Sequence, residues 1–161
     1  MTAGKYGASG ASSDTHGYSC GGIGTPWPTY HNTIERYAFA SDGNSVDTTQ
    51  DLEQPTNGPF TSNSTTHIYA SGGYGQTSGS YIQNITKFAI NATTNASTIG
   101  NLSVGGTGNG AGTSSTTHGY CHGGYPSYRN VIENFTFASD NDASDVGDLA
   151  VGVSSSGGTQ H

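Results

Sequence analysis

THGYSCGG, at residues 15–22, is the first of three copies of one cassette; the others are THIYASGG (66–73) and THGYCHGG (117–124). Successive copies begin 51 residues apart. A fixed period of this length is typical of stacked repeats, because a single repeat cannot bury its own apolar face. The cassette therefore predicts three stacked copies of one supersecondary unit.

The composition favours strands and turns over helices. Of 161 residues, 26 are Gly, and only 30% are hydrophobic and 9% charged. Most of the remainder is Ser, Thr and Asn, which favour turns and compete with helical hydrogen bonding. Aromatic rings bury large areas, so the ten Tyr, five Phe and one Trp are expected to supply much of the packing. We therefore expect an all-β fold.

The charge balance bears on the partners. The net charge is −7, and the four basic residues are Lys5, Arg36, Lys87 and Arg129. So few cations cannot neutralise a run of phosphates, and nucleic acid is not an expected partner. No apolar run reaches the roughly 18 residues of a membrane span, and the first residues lack the apolar segment of a secretory signal. We expect no membrane insertion.

Each repeat contains a second segment with strand alternation. The three segments are TIERYAFAS (33–41), NITKFAINA (84–92) and VIENFTFAS (131–139). Aromatic residues or Ile occupy two alternating positions on one face, and an Ile lies on the other, which predicts a strand covered on both sides. Polar turns follow, and a third ordered segment centres on Thr49, Ile99 and Val146.

Together these segments give each unit about four short antiparallel strands and no helix, as in a propeller blade. We place the repeats at about 15–65, 66–116 and 117–161, and the last can be incomplete. The Gly-Gly pair that closes each cassette predicts positive φ or a close backbone approach. SSSGGTQH (154–161) is similar to GASSDTH (10–16), which predicts that His161 stands where the His of a fourth cassette would.

A strand ending in Gly-Gly, a variable loop, an Asn-x-Ile/Val-x-x-aromatic strand and a polar turn together resemble Kelch-type β-propeller repeats. The period agrees. More narrowly, THGYxxGG, NxIxxFxFASD and DxGDL resemble the Kelch-like repeats of structural and tail-fibre proteins of tailed phages, particularly those of cyanobacteria. Thr49, Ile99 and Val146 stand about where ordinary Kelch repeats carry a Trp. Repeats of the regulator-of-chromosome-condensation type have a similar period, but their tryptophan-glycine signature is missing.

The resemblance implies a ring of four to eight blades, whereas three repeats are present. We expect the ring to be completed by other copies, for example two chains that form six blades, or by sequence outside this chain. The third alternative is an open stack or filament built by head-to-tail contacts.

Candidate chemical groups recur in register with the repeats. His16, His67 and His118 could in principle bind a metal, but a repeated structural duty, such as a hydrogen bond between blades, is the simpler explanation. Glu35 and Glu133 could form a glycosidase-like carboxylate pair, but equivalent positions in separate blades favour a solvated or salt-bridged structural role.

Other groups give no support to an enzyme. The run Asp140-Asn141-Asp142 with Asp145 lacks the central Gly and distal Glu of an EF-hand, so it predicts a turn. Cys20 and Cys121 are offset by one position between repeats, so we expect no disulfide. Nucleophile elbows, phosphate loops and Cys-x-x-Cys sites are missing from the sequence. We expect no enzymatic activity, no cofactor and no metal.

The variable loops after the cassettes carry most of the candidate binding residues. Their aromatic faces and scattered polar groups suit sugars, which present apolar ring faces and many hydroxyls. Tyr30, Tyr81 and Tyr128 occupy aligned positions, so packing between blades is their alternative role. Trp27 has no counterpart and is the better binding candidate. The candidate ligand-binding residues are Trp27, Tyr30, His31, Tyr74, Tyr81, Tyr125, Tyr128 and Arg129.

These observations predict a non-enzymatic structural and adhesive protein of a phage tail or other extracellular fibre, located in the virion or outside the cell. The expected partners are copies of the same chain, as a homo-oligomer or filament, and surface glycans. One alternative is a purely structural assembly or filament subunit without a ligand. A second alternative is an oxidase or glycosidase borne on a propeller.

Overall fold

The computed structural model describes residues 4–105 and 107–159, in which all regular structure is β. The first seven strands are β1 (Lys5–Tyr6), β2 (Ser9–Ser12), β3 (His16–Cys20), β4 (Ile23–Gly24), β5 (Thr29–Tyr30), β6 (Thr33–Ala38) and β7 (Val46–Asp51). The next seven are β8 (Thr56–Asn57), β9 (Phe60–Asn63), β10 (His67–Ser71), β11 (Tyr74–Gly75), β12 (Ser80–Tyr81), β13 (Asn84–Ala89) and β14 (Ser97–Asn101). The last four are β15 (Ala111–Ser114), β16 (His118–His122), β17 (Val131–Thr136) and β18 (Ser144–Asp148).

Three four-stranded antiparallel sheets form the main architecture. We call them blade 1 (β2-β3-β6-β7), blade 2 (β9-β10-β13-β14) and blade 3 (β15-β16-β17-β18). The cassette is the second strand of each blade, and the strand before it is the first. The second and third strands pair in one register throughout, so His16 lies opposite Ala38, His67 opposite Ala89 and His118 opposite Thr136. The predicted all-β blades are confirmed.

Smaller sheets lie beyond the cassettes. Strands β1, β4 and β5 form one, and β8, β11 and β12 form another. In the third repeat, whose loop is four residues shorter, the corresponding link is a single bridge between Gly108 and Tyr125. Each small sheet thus joins a variable loop to the segment that leads into a blade.

The Gly-Gly pair allows a second junction, which joins the end of one cassette to the segment that leads into the following blade. Gly72 has a φ of 62°, and a Cβ there would lie 2.4 Å from the carbonyl oxygen of Thr107. The next residue, Gly73, donates its amide hydrogen to the same oxygen at 2.7 Å. Any larger residue at position 72 would therefore push away the segment that leads into the following blade, which we call the lead-in of that blade. The Gly-Gly pair of the cassette predicts such a close approach.

The first strands of the blades lie side by side. Thr61 Oγ1 in β9 donates to the carbonyl oxygen of Gly10 in β2. On the other side, the Asn63 amide of β9 donates to Ser114 Oγ in β15 at 2.8 Å. The three blades therefore fan out from these first strands, as the innermost strands of a propeller do.

The hydrophobic core lies between blades and not within one sheet. The cluster between blades 1 and 2 contains Ala11, Tyr18, Cys20, Ile34, Leu52, Ile68, Ala70, Phe88 and Ala96. The cluster between blades 2 and 3 contains Phe60, Tyr69, Ile85, Leu102, Cys121, Phe135 and Ala143. Each blade thus buries its apolar residues against its neighbour, which is why a repeat cannot be stable alone.

Residues 153–158, which we call the C-terminal segment, lie on blade 3 as the lead-in of a further blade would. The Gly124 amide donates to the Val153 carbonyl at 2.8 Å, as Gly22 donates to Thr56 and Gly73 to Thr107. Gly158 then lies against the Gly112 backbone. The predicted equivalence of His161 with a cassette His lies outside the described residues.

Candidate functional site

Four of the predicted loop aromatics form one continuous row, which we call the tyrosine row. Tyr30 contacts Tyr74 with ring centroids 5.9 Å apart, Tyr74 contacts Tyr81 at 5.3 Å, and Tyr81 contacts Tyr125 at 5.6 Å. Burial raises the pKa of the Tyr81 hydroxyl, and the neighbouring tyrosines add to the effect. The row links the loops of all three repeats, so these rings pack on one another across the blade boundaries.

Trp27 lies apart from this row and stacks on Tyr6. Their ring centroids are 5.4 Å apart at an interplanar angle of 22°. Both side chains are exposed, Trp27 at 64% and Tyr6 at 55%. Between them and the strand edge at Lys5, Ile23 and Gly24 lies an open cavity of about 160 Å³. This flat, solvent-facing pair can offer stacking area to a planar or ring-shaped ligand.

Sequence analysis did not identify Tyr6 as a partner of Trp27. Tyr6 lies in β1, before the first cassette, and pairs with Ile23. The equivalent residue of the second repeat is Asn57, which pairs with Tyr74. Since the aromatic ring does not recur at this position, the repeat pattern carried no signal for it.

The remaining candidates play different parts. His31 accepts the Thr56 amide hydrogen through its carbonyl at 3.1 Å, and Arg129 accepts that of Val153 at 3.0 Å, so both hold a lead-in segment through their backbones. Tyr128 is 65% exposed, has a φ of 46°, and makes no ring contact within the described ranges. It does not join the tyrosine row, although its position aligns with Tyr30 and Tyr81.

The cassette histidines make the same local contact in each blade. Nδ1 of His16, His67 and His118 lies 2.8, 2.8 and 2.9 Å from the Oγ1 of the preceding Thr. Each ring also lies 6.3–6.4 Å from that of the Tyr two residues later. The repeated role of these histidines is therefore structural, and these contacts lie within a blade and not between blades. Among the described residues, no three His, Cys, Asp or Glu side chains form a group that could hold a metal ion.

The two equivalent glutamates are both buried, which excludes the solvated role for them. Glu35, 1% exposed, forms an ion pair with Lys5 at 3.2 Å and accepts a hydrogen bond from Ser45 Oγ at 3.0 Å. Glu133, 4% exposed, accepts hydrogen bonds from Ser103 Oγ at 2.6 Å and the Val104 amide at 2.8 Å. Both carboxylates are occupied by structural partners.

The run Asp140-Asn141-Asp142, which we predicted to be a turn, is an irregular connection before β18, and it serves packing. Asp140 pairs with Lys87 of blade 2 at 2.5 Å, and Asp142 Oδ1 accepts the Asn101 amide hydrogen at 2.8 Å. Asp145 accepts the Gly147 amide hydrogen at 3.1 Å within its own strand. Two of these carboxylates therefore join neighbouring blades.

Both cysteines are free thiols in the inter-blade clusters. Burial raises the pKa of Cys20 to about 12 and that of Cys121 to about 12. A thiol with such a pKa is protonated at neutral pH and is a poor nucleophile. The cysteines act as small apolar side chains here.

The outer face of blade 1 exposes aromatic residues at positions that are buried or half-buried in the other blades. Tyr37 is 47% and Phe39 53% exposed, whereas Phe88, at the position of Tyr37, is 2% exposed. Phe135, at the same position in blade 3, is 1% exposed. We call Tyr37 and Phe39 the blade 1 end face.

The opposite outer face belongs to blade 3 and consists of Tyr120, Ile132 and Leu149, which we call the blade 3 end face. These residues are half-buried, whereas Tyr69, Ile85 and Leu102 at the same positions in blade 2 are buried. The two end faces are thus the two unlike halves of the contact that joins neighbouring blades. Sequence analysis aligned these positions but did not identify them as surfaces, because the aligned residues are of the same apolar type in every repeat.

Comparisons with known proteins bear on the fold alone. No protein-family model matches the chain, and no curated protein matches its sequence. Among 115 chains of solved structures with a similar fold is that of YjhT, a Kelch-repeat β-propeller protein. The TM-score is 0.73 at 14% identity, and the match covers 91% of this chain and 53% of YjhT.

This similarity confirms the expected architecture at the level of fold. The four-stranded antiparallel sheets match part of a Kelch propeller, and the chain spans about half the length of YjhT. Within the described ranges, no helix is long and apolar enough to cross a membrane.

Proposed function

We propose that this chain is a non-enzymatic structural protein that assembles with copies of itself through its propeller-type blades. The proposal rests on one observation: the blade 1 end face exposes Tyr37, whereas Phe88 and Phe135 at the same position in the blades that follow another blade are buried, and it exposes Phe39 more than the half-buried Ile90 and Phe137. Exposed apolar patches rimmed by polar residues mark interaction sites on soluble proteins. The blade 3 end face offers the complementary surface.

Assembly of copies into a ring is one form of this proposal. The given chain spans about half the length of YjhT, so the ring would be completed by a second copy or by sequence outside this chain. Contacts between unlike faces close into a ring when the rotation permits and otherwise produce a filament. Both forms are consistent with a structural or fibre-building role in a phage tail or another extracellular fibre. The placement in a virion or outside the cell is supported by the resemblance of the repeats.

Native mass spectrometry combined with electron microscopy tests this proposal. A closed particle with the mass of two 16.4 kDa chains would support completion of the ring by a second copy. A long filament would support a fibre-building unit. A monomer at all accessible concentrations would contradict self-assembly.

A second candidate function is contact with surface glycans, and it is favoured by the exposed stack of Trp27 on Tyr6. Stacking on sugar rings needs an accessible aromatic face and little charge, and both are present here. In this role the chain is an adhesive subunit. If no glycan binds, the chain is a purely structural subunit. The oxidase or glycosidase alternative gains no support from Glu35 and Glu133, whose carboxylates have structural partners.

A further inference from the structure

The same pair of hydrogen bonds joins the blades at both described boundaries, and we call it the peptide clasp. Between blades 1 and 2, the Asp51 amide donates to Asn95 Oδ1 at 3.1 Å, and the Ala96 amide donates to the Asp51 carbonyl at 2.9 Å. This clasp thus binds both the backbone N–H and the backbone C=O of the residue that ends the fourth strand of a blade.

The second boundary repeats these contacts one blade later. The Asn101 amide donates to Asp142 Oδ1 at 2.8 Å, and the Ala143 amide donates to the Asn101 carbonyl at 2.8 Å. The clasp therefore needs an Asn or Asp side chain, the amide of the next residue, and a peptide on the preceding blade.

The two ends of the described chain carry the unlike halves of a third clasp. Strand pairing places Asp148 opposite Val131, as Asp51 lies opposite Thr33. It also places Val46 opposite Arg36, as Ser97 lies opposite Lys87, so Asn44 and Ser45 correspond to Asn95 and Ala96. Blade 1 offers the side-chain half and blade 3 the peptide half.

We propose that blade 1 of a second copy docks on blade 3 of the first, with Asn44 and Ser45 forming the clasp on the Asp148 peptide. This inference rests on the self-assembly proposed above and specifies its surface. It continues an interface that occurs twice within the chain. The end faces then meet as the inner blades do, where Tyr69 stacks on Phe137 with centroids 4.8 Å apart. Tyr120 would contact Phe39 in the same way.

The C-terminal segment occupies the place that this docking requires. Val153 receives the Gly124 amide hydrogen, as Thr56 and Thr107 receive theirs at the earlier boundaries. Thr56 pairs with Gly75 in its small sheet, and Lys5 pairs with Gly24 in the same way, so Lys5 and Val153 are equivalent lead-in residues. A docked second copy therefore brings its residues 5–10 to the place held by residues 153–158.

Residues 5–10 of a second copy and the C-terminal segment compete for this place on blade 3, and the C-terminal segment is held there more weakly. Residues 5–10 are anchored by the buried Lys5–Glu35 ion pair, and β2 pairs with β3 along four residues. Residues 153–158 form no strand, and Gly157 and Gly158 are exposed. Docking therefore exchanges this segment for the lead-in of the second copy and adds the clasp and the apolar contact. The segment acts as a competitor that limits assembly.

Two neighbouring glycines allow a matched test in the full chain. A Cβ at Gly158 would lie 2.2 Å from the Gly112 carbonyl oxygen, whereas a Cβ at Gly157 would meet no atom within 4 Å. Gly158→Val should release the C-terminal segment from blade 3, and Gly157→Val should not. We expect Gly158→Val to strengthen self-association about tenfold, because more of the chain then has the docking place open, and Gly157→Val to leave it unchanged, as measured by sedimentation velocity over a concentration series.

The exposed Asn44 provides the second variant. Asn44→Ala removes one clasp hydrogen bond and should weaken association about three- to tenfold without changing the melting temperature of the monomer. If wild type associates but these variants change nothing, or if Gly158→Val weakens association, the docking geometry is wrong and self-assembly stands. If wild type and Gly158→Val both stay monomeric, self-assembly itself is wrong.

Discussion

Lys5 forms an ion pair with Glu35 across 3.2 Å, and both side chains are only 1% exposed. Lys5 lies in β1, outside the four-stranded sheets, and Glu35 lies in the third strand of blade 1. This contact fixes the N-terminal lead-in to the first blade. At the corresponding position of blade 2, Thr86 donates to the Ala70 carbonyl at 2.8 Å and needs no cation. Only blade 1 therefore depends on a buried charge pair of this kind within the described ranges.

Lys5→Met should lower the free energy of unfolding by about 3–5 kcal/mol, because it leaves the Glu35 carboxylate buried without its cation. The double variant Lys5→Met/Glu35→Thr should recover most of this loss, because it removes the buried carboxylate and places at position 35 the Thr that blade 2 carries there. Urea denaturation followed by circular dichroism measures both values. A loss below about 1 kcal/mol in the single variant would contradict this account of the pair.

Equivalent aromatic positions should differ sharply in their contribution to stability. Phe88→Ala should cost about 3–5 kcal/mol, since Phe88 is 2% exposed between blades 1 and 2. Tyr37→Ala, at the same position of blade 1, should cost well under that, because its side chain is 47% exposed. Urea denaturation at concentrations where the chain is monomeric provides the comparison. Equal losses would mean that the blade 1 end face is covered within the monomer.

The repeat pattern was sufficient to predict the blades but not the ends of the stack. The alternation in 33–41, 84–92 and 131–139 identified the third strands, and Gly-Gly identified the junctions, because every repeat meets the same physical demand there. Tyr37 and Phe88 are alike in the sequence, and only the missing neighbour beside blade 1 makes one exposed and the other buried. Contacts between repeats, such as that of Asn95 with Asp51, depend on three-dimensional stacking and left no local signal.

The titration of His67 should report its surroundings. Burial lowers the pKa of His67, the Lys87 ammonium lowers it further, and Asp140 raises it. The folded chain thus binds fewer protons than the unfolded chain just below pH 6.5, so stability falls as the pH drops through this range and levels off below the lowered pKa. Lys87→Gln should raise the pKa and Asp140→Asn should lower it. NMR titration of the imidazole measures both, and shifts of the same sign would contradict this arrangement.

The thiols should be unreactive in the folded chain. Burial raises the pKa of Cys20 and of Cys121 to about 12, and the two side chains are 0% and 3% exposed. Labelling with a maleimide or a disulfide reagent at pH 7 should therefore proceed only as fast as the blades separate, and urea should accelerate it strongly. Rapid labelling without denaturant would show that the inter-blade clusters open readily.

Glycan binding, if it occurs at the loops, should depend on Trp27 and not on every exposed aromatic. Trp27→Ala should abolish the glycan-array signal, because it removes the outer ring of the stack on Tyr6. Tyr128→Ala is the matched control, since Tyr128 is 65% exposed, like Trp27 at 64%, but has no stacking partner among the described residues. Trp27 is the one Trp of the chain, so quenching of its fluorescence measures binding directly. A signal that survives Trp27→Ala and disappears with Tyr128→Ala would move the binding site to the loop of the third repeat.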